Sequence, residues 1–227
     1  MNRFFGIGLL ALTGGLLGCQ APTPIRFHTL ASPIAQPAVH STAQPAASAP
    51  PAATSAASPP FLIDVLPVGI PAQLDTSQLL VRQGDSTVVA LNDERWIGPF
   101  ADEARSALSA QLTQRLGTTD VAGLAPPKGR PVLRIKVQIR RFDAWPGQQV
   151  QLDADWSLGF ADEPNGARLV CSTRQVVPAG PAYLQVVQAQ QSALADLAAQ
   201  LADSARHWAN SRTAQCLPLE PGRQKAP

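Results

Sequence analysis

The stretch VLRIKVQIRRF (132–142), followed by VQLDADWSLGF (150–160), decides the fold. In the first, Leu133, Ile135, Val137 and Ile139 alternate with Arg134, Lys136, Gln138 and Arg140. In the second, Val150, Leu152, Ala154, Trp156, Leu158 and Phe160 alternate with Gln151, Asp153, Asp155 and Ser157. A period of two marks a strand with one face in the core and one in water. The outer row of the first strand is cationic and that of the second is anionic. The two are therefore expected to pair as neighbours. Cross-strand ion pairs contribute only tenths of a kcal/mol each, but they favour one register.

Working outward towards the C-terminus, Arg168 to Val177 reads as a third strand behind the turn Glu163-Pro164-Asn165-Gly166. Gly180-Pro181 then opens a long helix, in which Leu184, Val187, Gln191, Leu194, Ala198, Leu201, Ala205 and Trp208 form one stripe. Towards the N-terminus, Gly98-Pro99 opens another helix, with Asp102 and Glu103 near its positive end. Phe100, Ala104, Ala107, Leu108, Gln111, Leu112 and Leu116 hold helical spacing, and Arg115 with Gly117 suits its end. Before it lie a proline-bounded apolar strand, Phe61 to Val68, and two short strands, Leu79–Arg82 and Thr87–Leu91, around Gln83-Gly84-Asp85-Ser86. The order is β-β-β-α-β-β-β-α. It predicts an α+β fold, a single mixed or antiparallel sheet with two long helices packed on one face. The other face, with Arg134, Lys136, Arg140, Asp153 and Asp155, is either solvated or a partner surface.

This body, residues 61–216, is the size of one domain with its own core. Residues 217–227 read as a flexible tail. Residues 31–60 hold seven prolines and no charged side chain. Such a segment buries too little apolar surface to offset its ordering entropy, and reads as a linker. Fully extended it would reach ~90 Å at ~3.1 Å per residue, enough to hold the body well clear of an anchor.

The first twenty residues supply that anchor. Arg3 is the one charge before an apolar run, Phe4 to Leu17. The run is shorter than the ~20 residues a membrane span requires. A cationic start and a short apolar run read as a signal peptide over residues 1–18. Leu16-Leu17-Gly18-Cys19 resembles the bacterial lipobox, which makes Cys19 the lipid acceptor and residues 19–60 anchor plus linker. The competing reading is an ordinary secretory peptide with a chance cysteine. Multiple acyl chains on one residue anchor stably, since each buried CH₂ contributes ~0.8 kcal/mol. Gln20, standing where an Asp would favour retention in the inner membrane, points to the outer membrane.

Composition and motifs exclude several classes. Cleavage before Cys19 removes Arg3 and lowers the net charge from +2 to +1. The three lysines, Lys128, Lys136 and Lys225, are dispersed, so no basic patch steers nucleic acid. His28, His40 and His207 stand alone, and no metal-ligand spacing occurs. Neither a Gly-X-Ser-X-Gly elbow nor a phosphate-cradling glycine loop is present. Asp153 and Asp155 share a strand face, as paired catalytic carboxylates can, but the facing cations explain them better. No enzyme activity and no cofactor are expected. Cys171 and Cys216 are an even pair in an oxidising compartment, hence either a disulfide or two separate thiols.

Several motifs together resemble the PqiC-type lipoproteins, the auxiliary lipoprotein family of membrane-integrity and ABC-type lipid transporters. They are Arg26-Phe27-His28-Thr29-Leu30, Leu66-Pro67-Val68-Gly69-Ile70-Pro71 with Leu74-Asp75, and Gln78-Leu79-Leu80-Val81-Arg82. Asn92-Asp93-Glu94-Arg95-Trp96 before Pro99 is the most specific, and Arg141-Phe142-Asp143 and the Tyr183-led helix complete the set. The sequence departs from the pattern in its reduced aromatic pair, Phe27-His28, and in the long gap between Leu30 and Phe61. Arg26–Leu30 therefore either pairs with the sheet or hangs free. The resemblance implies docking to an MCE-domain protein, which forms a hydrophobic conduit for lipid across the periplasm, and homo-oligomeric assembly at the conduit end. A free-standing lipid-binding carrier is the alternative. Glu94, Arg95 and Trp96 are the candidate partner contact, since Trp and Arg are enriched at interface anchors. The competing reading is that Trp96 seals the start of the helix against the sheet.

Overall fold

A computed structural model describes residues 24–31, 60–163, 166–213 and 215–216. The signal peptide, Cys19, most of the linker, Pro164 and Asn165 of the expected turn, and the tail lie outside the described residues. In chain order the elements are β1 (Arg26–His28), β2 (Leu62–Val65), β3 (Gln78–Arg82), β4 (Val88–Trp96), α1 (Phe100–Leu116), β5 (Val132–Trp145), β6 (Gln149–Phe160), β7 (Leu169–Pro178) and α2 (Tyr183–Ser211), with a short 3₁₀ turn at Ala72–Leu74.

The α+β class and the element order are as read from the sequence, with β1 added in front. The strands divide between two mixed sheets where the sequence suggested one. One sheet has the order β2-β5-β6-β7, the other β1-β4-β3. The division follows from which edges are already taken. On one side β5 pairs antiparallel with β6. On the other it pairs in parallel with β2. The chain after β2 continues along the same edge, where Leu66 and Gly69 donate N–H bonds to Ile135 and Val137 at 3.0 Å. No free edge is left there for β3 and β4, which pair with each other instead. The two sheets meet where β3 lies against the far half of β5. There Arg82 Nε stands 2.8 Å from Asp143 Oδ1, and Trp145 Nε1 donates to the Gly84 carbonyl at 3.3 Å.

The β5–β6 ladder carries a bulge between Ile139 and Arg141. The inserted residue inverts the alternation, so Leu133, Ile135, Val137 and Ile139 are buried before it, and Phe142 and Ala144 after it. Along the same ladder one of the expected ion pairs forms, Arg140 bonding Asp155 at 2.6 Å, whereas Arg134 pairs with Asp64 of β2 and Asp153 with Arg174 of β7.

Gly117 ends α1 in the left-handed region, φ 65°, with its N–H bonded to the Thr113 carbonyl. This is the C-terminal cap that glycine permits without a Cβ penalty. α2 buries a wider arc than the single stripe read from the sequence. Val187, Leu194, Ala198, Leu201, Ala205 and Trp208 are buried as expected, and Val186, Ala193 and Leu197 join them. The reason is that α2 contacts both the four-stranded sheet and α1. Leu184 lies on the remaining side and is 60% exposed, contrary to its assignment to the stripe. One polar chain crosses the core: Trp156 Nε1 donates to Thr173 Oγ1 at 2.9 Å, and Thr173 Oγ1 to Gln200 Oε1 at 2.7 Å. It fixes the height of α2 on the sheet.

Candidate functional site

The motif Asn92–Trp96 forms the second half of β4. Strand alternation turns Glu94 and Trp96 inward and Arg95 outward. Glu94 is 1% exposed. A carboxylate so desolvated requires partners, and β1 brings them. β1 runs parallel to β4 in the register Arg26↔Glu94, Phe27↔Arg95 and His28↔Trp96. His28 Nε2 meets Glu94 Oε2 at 2.5 Å, and the Arg26 guanidinium contacts the other carboxylate oxygen.

The next two residues are held as firmly. Thr29 Oγ1 donates to Glu103 Oε2 at 2.7 Å, and the Leu30 N–H donates to the same oxygen at 3.0 Å. From α2, Gln191 Nε2 donates to the Thr29 carbonyl at 2.8 Å. Leu30 itself is buried. Of the two alternatives for Arg26–Leu30, the structure takes the paired one. Glu103 therefore does more than favour the positive end of α1: it clamps a segment 73 residues earlier.

This changes the meaning of the linker. Residues 32–59 join two points of one folded body, Leu30 and Phe61. Between Cys19 and the first docked residues stand only residues 20–25. The ~90 Å reach expected from the sequence does not separate the body from Cys19 while β1 is docked.

The three residues proposed for partner contact divide in two. Trp96 is buried, with its ring centroid 5.6 Å from that of Phe100, which in turn lies 5.5 Å from that of Phe142. It sits where α1 begins, packed against Phe100 of that helix and edge-on to His28. Glu94 is equally internal. Arg95 alone of the three faces outward, its Nε donating to the Asn92 carbonyl at 3.1 Å.

The two carboxylates weighed for catalysis are engaged by neighbours. Asp153 receives Arg174 Nε at 3.0 Å. Asp155 receives Arg140 and, at 2.7 Å, the Ser172 hydroxyl. Cys171, buried on β7, is bonded to Cys216 beyond the end of α2, with Cα atoms 5.8 Å apart. That separation is ordinary for a disulfide. A cleft of about 470 Å³ opens between β3 and the bulged half of β5, lined in part by Leu80, Arg82, Arg140, Arg141, Phe142 and Asp143. No group of three His, Cys, Asp or Glu side chains suited to a metal occurs among the described residues. No helix among them is long and apolar enough to cross a membrane.

Fold and site thus define a two-sheet α+β domain whose N-terminal strap is locked in place by two buried glutamates. The chain belongs to the family of ABC-type transport auxiliary lipoprotein components, whose match spans residues 44–202. The family is one of transport components, not of enzymes. No curated protein matches the chain. Two crystal structures share the fold. One, of an uncharacterized protein, is 18% identical with a TM-score of 0.56, over 64% of this chain and 92% of its own. The other, a Xanthomonas campestris protein of the DUF330 family, is 14% identical with a TM-score of 0.50, over 70% of this chain and 93% of its own.

Proposed function

We propose that this chain is acylated on Cys19, sits on the periplasmic face of the outer membrane, and docks on an MCE-domain protein of an intermembrane lipid transport system, supporting envelope integrity. The observation that carries the reading is the family match over most of the folded body. Two features support it. The lipobox-like Leu16-Leu17-Gly18-Cys19 provides an anchor. The conspicuous polar side chains of the body are engaged in holding its own elements together, as suits a docking scaffold.

A free lipid carrier would need an apolar cavity between helices and sheet. Leu194, Leu197, Leu201 and Trp208 of α2 and Leu152 and Trp156 of β6 fill that space, and the cleft between the sheets carries arginines at its rim. No observation favours the carrier.

The test is an affinity pull-down of the lipidated protein from detergent-solubilised envelopes, with mass spectrometry of what accompanies it. Recovery of an MCE-domain protein is expected. A well-folded, acylated preparation that brings none would overturn the docking role.

A further inference from the structure

We propose that the β1 edge of the three-stranded sheet, with Ile25, Phe27 and Ile97 at its surface, rests in the interfacial layer of the phospholipid bilayer that carries the anchor. The proposal rests on the reading that Cys19 is acylated.

Three observations carry it. The first is apolar exposure. Ile25, Phe27 and Ile97 are 50%, 63% and 70% exposed, three of the large apolar side chains that stand exposed among the described residues. The second is that they are neighbours. Arg26 and His28 turn inward to Glu94, so alternation places Ile25 and Phe27 on the opposite, outer face. Phe27 pairs with Arg95 there, and the Ile97 N–H bonds the His28 carbonyl at 2.9 Å.

The third is the length of chain outside the structure and where it ends. Five residues separate Cys19 from Ile25, which makes six Cα-to-Cα steps. At ~3.3–3.6 Å each they span at most about 20 Å. Because β1 is fixed into the sheet, this edge of the body is the one that must stay near the acyl chains.

The chemistry of the patch suits that neighbour. Aromatic and branched apolar side chains partition into the interface, and arginine extends its guanidinium to the headgroups while its stem stays apolar. Arg95 pairs with Phe27 on the same face. Anionic headgroups attract such cations.

The acylated full chain, purified from membranes, is given a cysteine at Ile97 (Ile97→Cys) or, separately, at Phe27 (Phe27→Cys), and labelled with a nitrobenzoxadiazole fluorophore. Acylation occupies Cys19, and Cys171 is bonded to Cys216, so the introduced thiol takes the label. Gln83→Cys is the control. It lies in the β3–β4 turn, beyond the far end of a nine-residue strand, roughly 25 Å away at ~3.4 Å per residue.

The proteins are reconstituted in vesicles of phosphatidylethanolamine and phosphatidylglycerol containing doxyl-labelled phospholipid. The expected result is a blue shift and loss of emission at positions 97 and 27, with the label at 83 unchanged. Flotation with the vesicles but no quenching at 97 or 27 overturns the proposal and leaves the anchor standing. A shift at 97 that grows with protein density and ignores the doxyl lipid overturns it in favour of a second copy of the chain. Failure to float, with no acyl mass on Cys19, removes the anchor reading and the proposal with it.

Discussion

Glu94→Ala should release the N-terminal strap without unfolding the body. The carboxylate is 1% exposed and is met by His28 and Arg26. Removing the acid, rather than its partners, strands no buried charge. The Arg26 side chain, 65% exposed, returns to water. What is lost is one charge-assisted hydrogen bond, about 1.5–3 kcal/mol, and a largely solvated ion pair of at most about 1 kcal/mol. Against this, docking has had to overcome ~1–2 kcal/mol of backbone ordering for each strap residue. The surplus that keeps β1 docked is therefore small. A loss of about 2–3 kcal/mol raises the undocked population roughly 30- to 150-fold, at tenfold per 1.4 kcal/mol.

Trypsin reads this directly. The Arg26–Phe27 bond lies inside β1, and cleavage requires the strand to leave the sheet. Cleavage at Arg26 should accelerate by the same factor where reclosing is fast relative to cutting. The melting temperature should fall by only a few degrees, because the body keeps its core and the event is local. Unchanged cleavage at Arg26, together with a large loss of melting temperature, would refute the reasoning and make Glu94 a member of the global core.

Trp96→Ala should cost about 3–5 kcal/mol, because the indole is buried against Phe100 and His28. Partner recovery and melting temperature should fall together, and partner loss at unchanged melting would assign Trp96 to an interface. Cys216→Ala should cost about 2–4 kcal/mol in denaturant unfolding, and the wild-type protein in reductant should match it. A variant as stable as the oxidised wild type would show the bond to contribute nothing.

Much of the fold was legible because its elements obey simple periods. β5 and β6 alternate over long stretches, and α1 has proline, acids, a stripe and a terminal glycine in order. The split into two sheets was not legible. It depends on which chain occupies the free edge of β5, and the occupants, β2 and Leu66–Gly69, carry no local mark of it. The bulge at Arg140 was hidden in the same way, although two consecutive arginines breaking an apolar alternation are its trace.

The site was half legible. Trp96 and Glu94 stood out in the motif, but Arg95 between them was grouped with them, although strand parity alone sends it the other way. The signal that would have found the strap is an acid in phase with core residues. Glu94 falls in step with Trp96, and Glu103 with Ala107, so each must be paired by something. Arg26-Phe27-His28-Thr29 offers a cation, an imidazole and a hydroxyl to pair with them.

If the strap is docked, the Pro/Ala-rich segment closes a loop, and its length should matter little. Leu30 is held at Glu103 and Phe61 at Thr118, whose hydroxyl donates to the Phe61 carbonyl at 2.7 Å. Glu103 and Thr118 lie at opposite ends of α1, roughly 20–25 Å apart at ~1.5 Å per residue. Deleting residues 36–53 leaves about 12 residues between Leu30 and Phe61, able to span about 40 Å. The closure entropy changes by less than about 1 kcal/mol, in the stabilising direction. The shortened chain should melt at or slightly above the wild-type temperature, resist trypsin at Arg26 as well, and recover the same partner from envelopes. Insertion of the same 18 residues between Cys19 and Ile25 lengthens the leash from about 20 Å to about 80 Å. That variant should fold equally well, yet lose the fluorescence shift of the label at position 97. Loss of partner recovery on deletion, with folding and strap docking intact, would show the segment to be a working tether or a binding element, and would sink the loop reading.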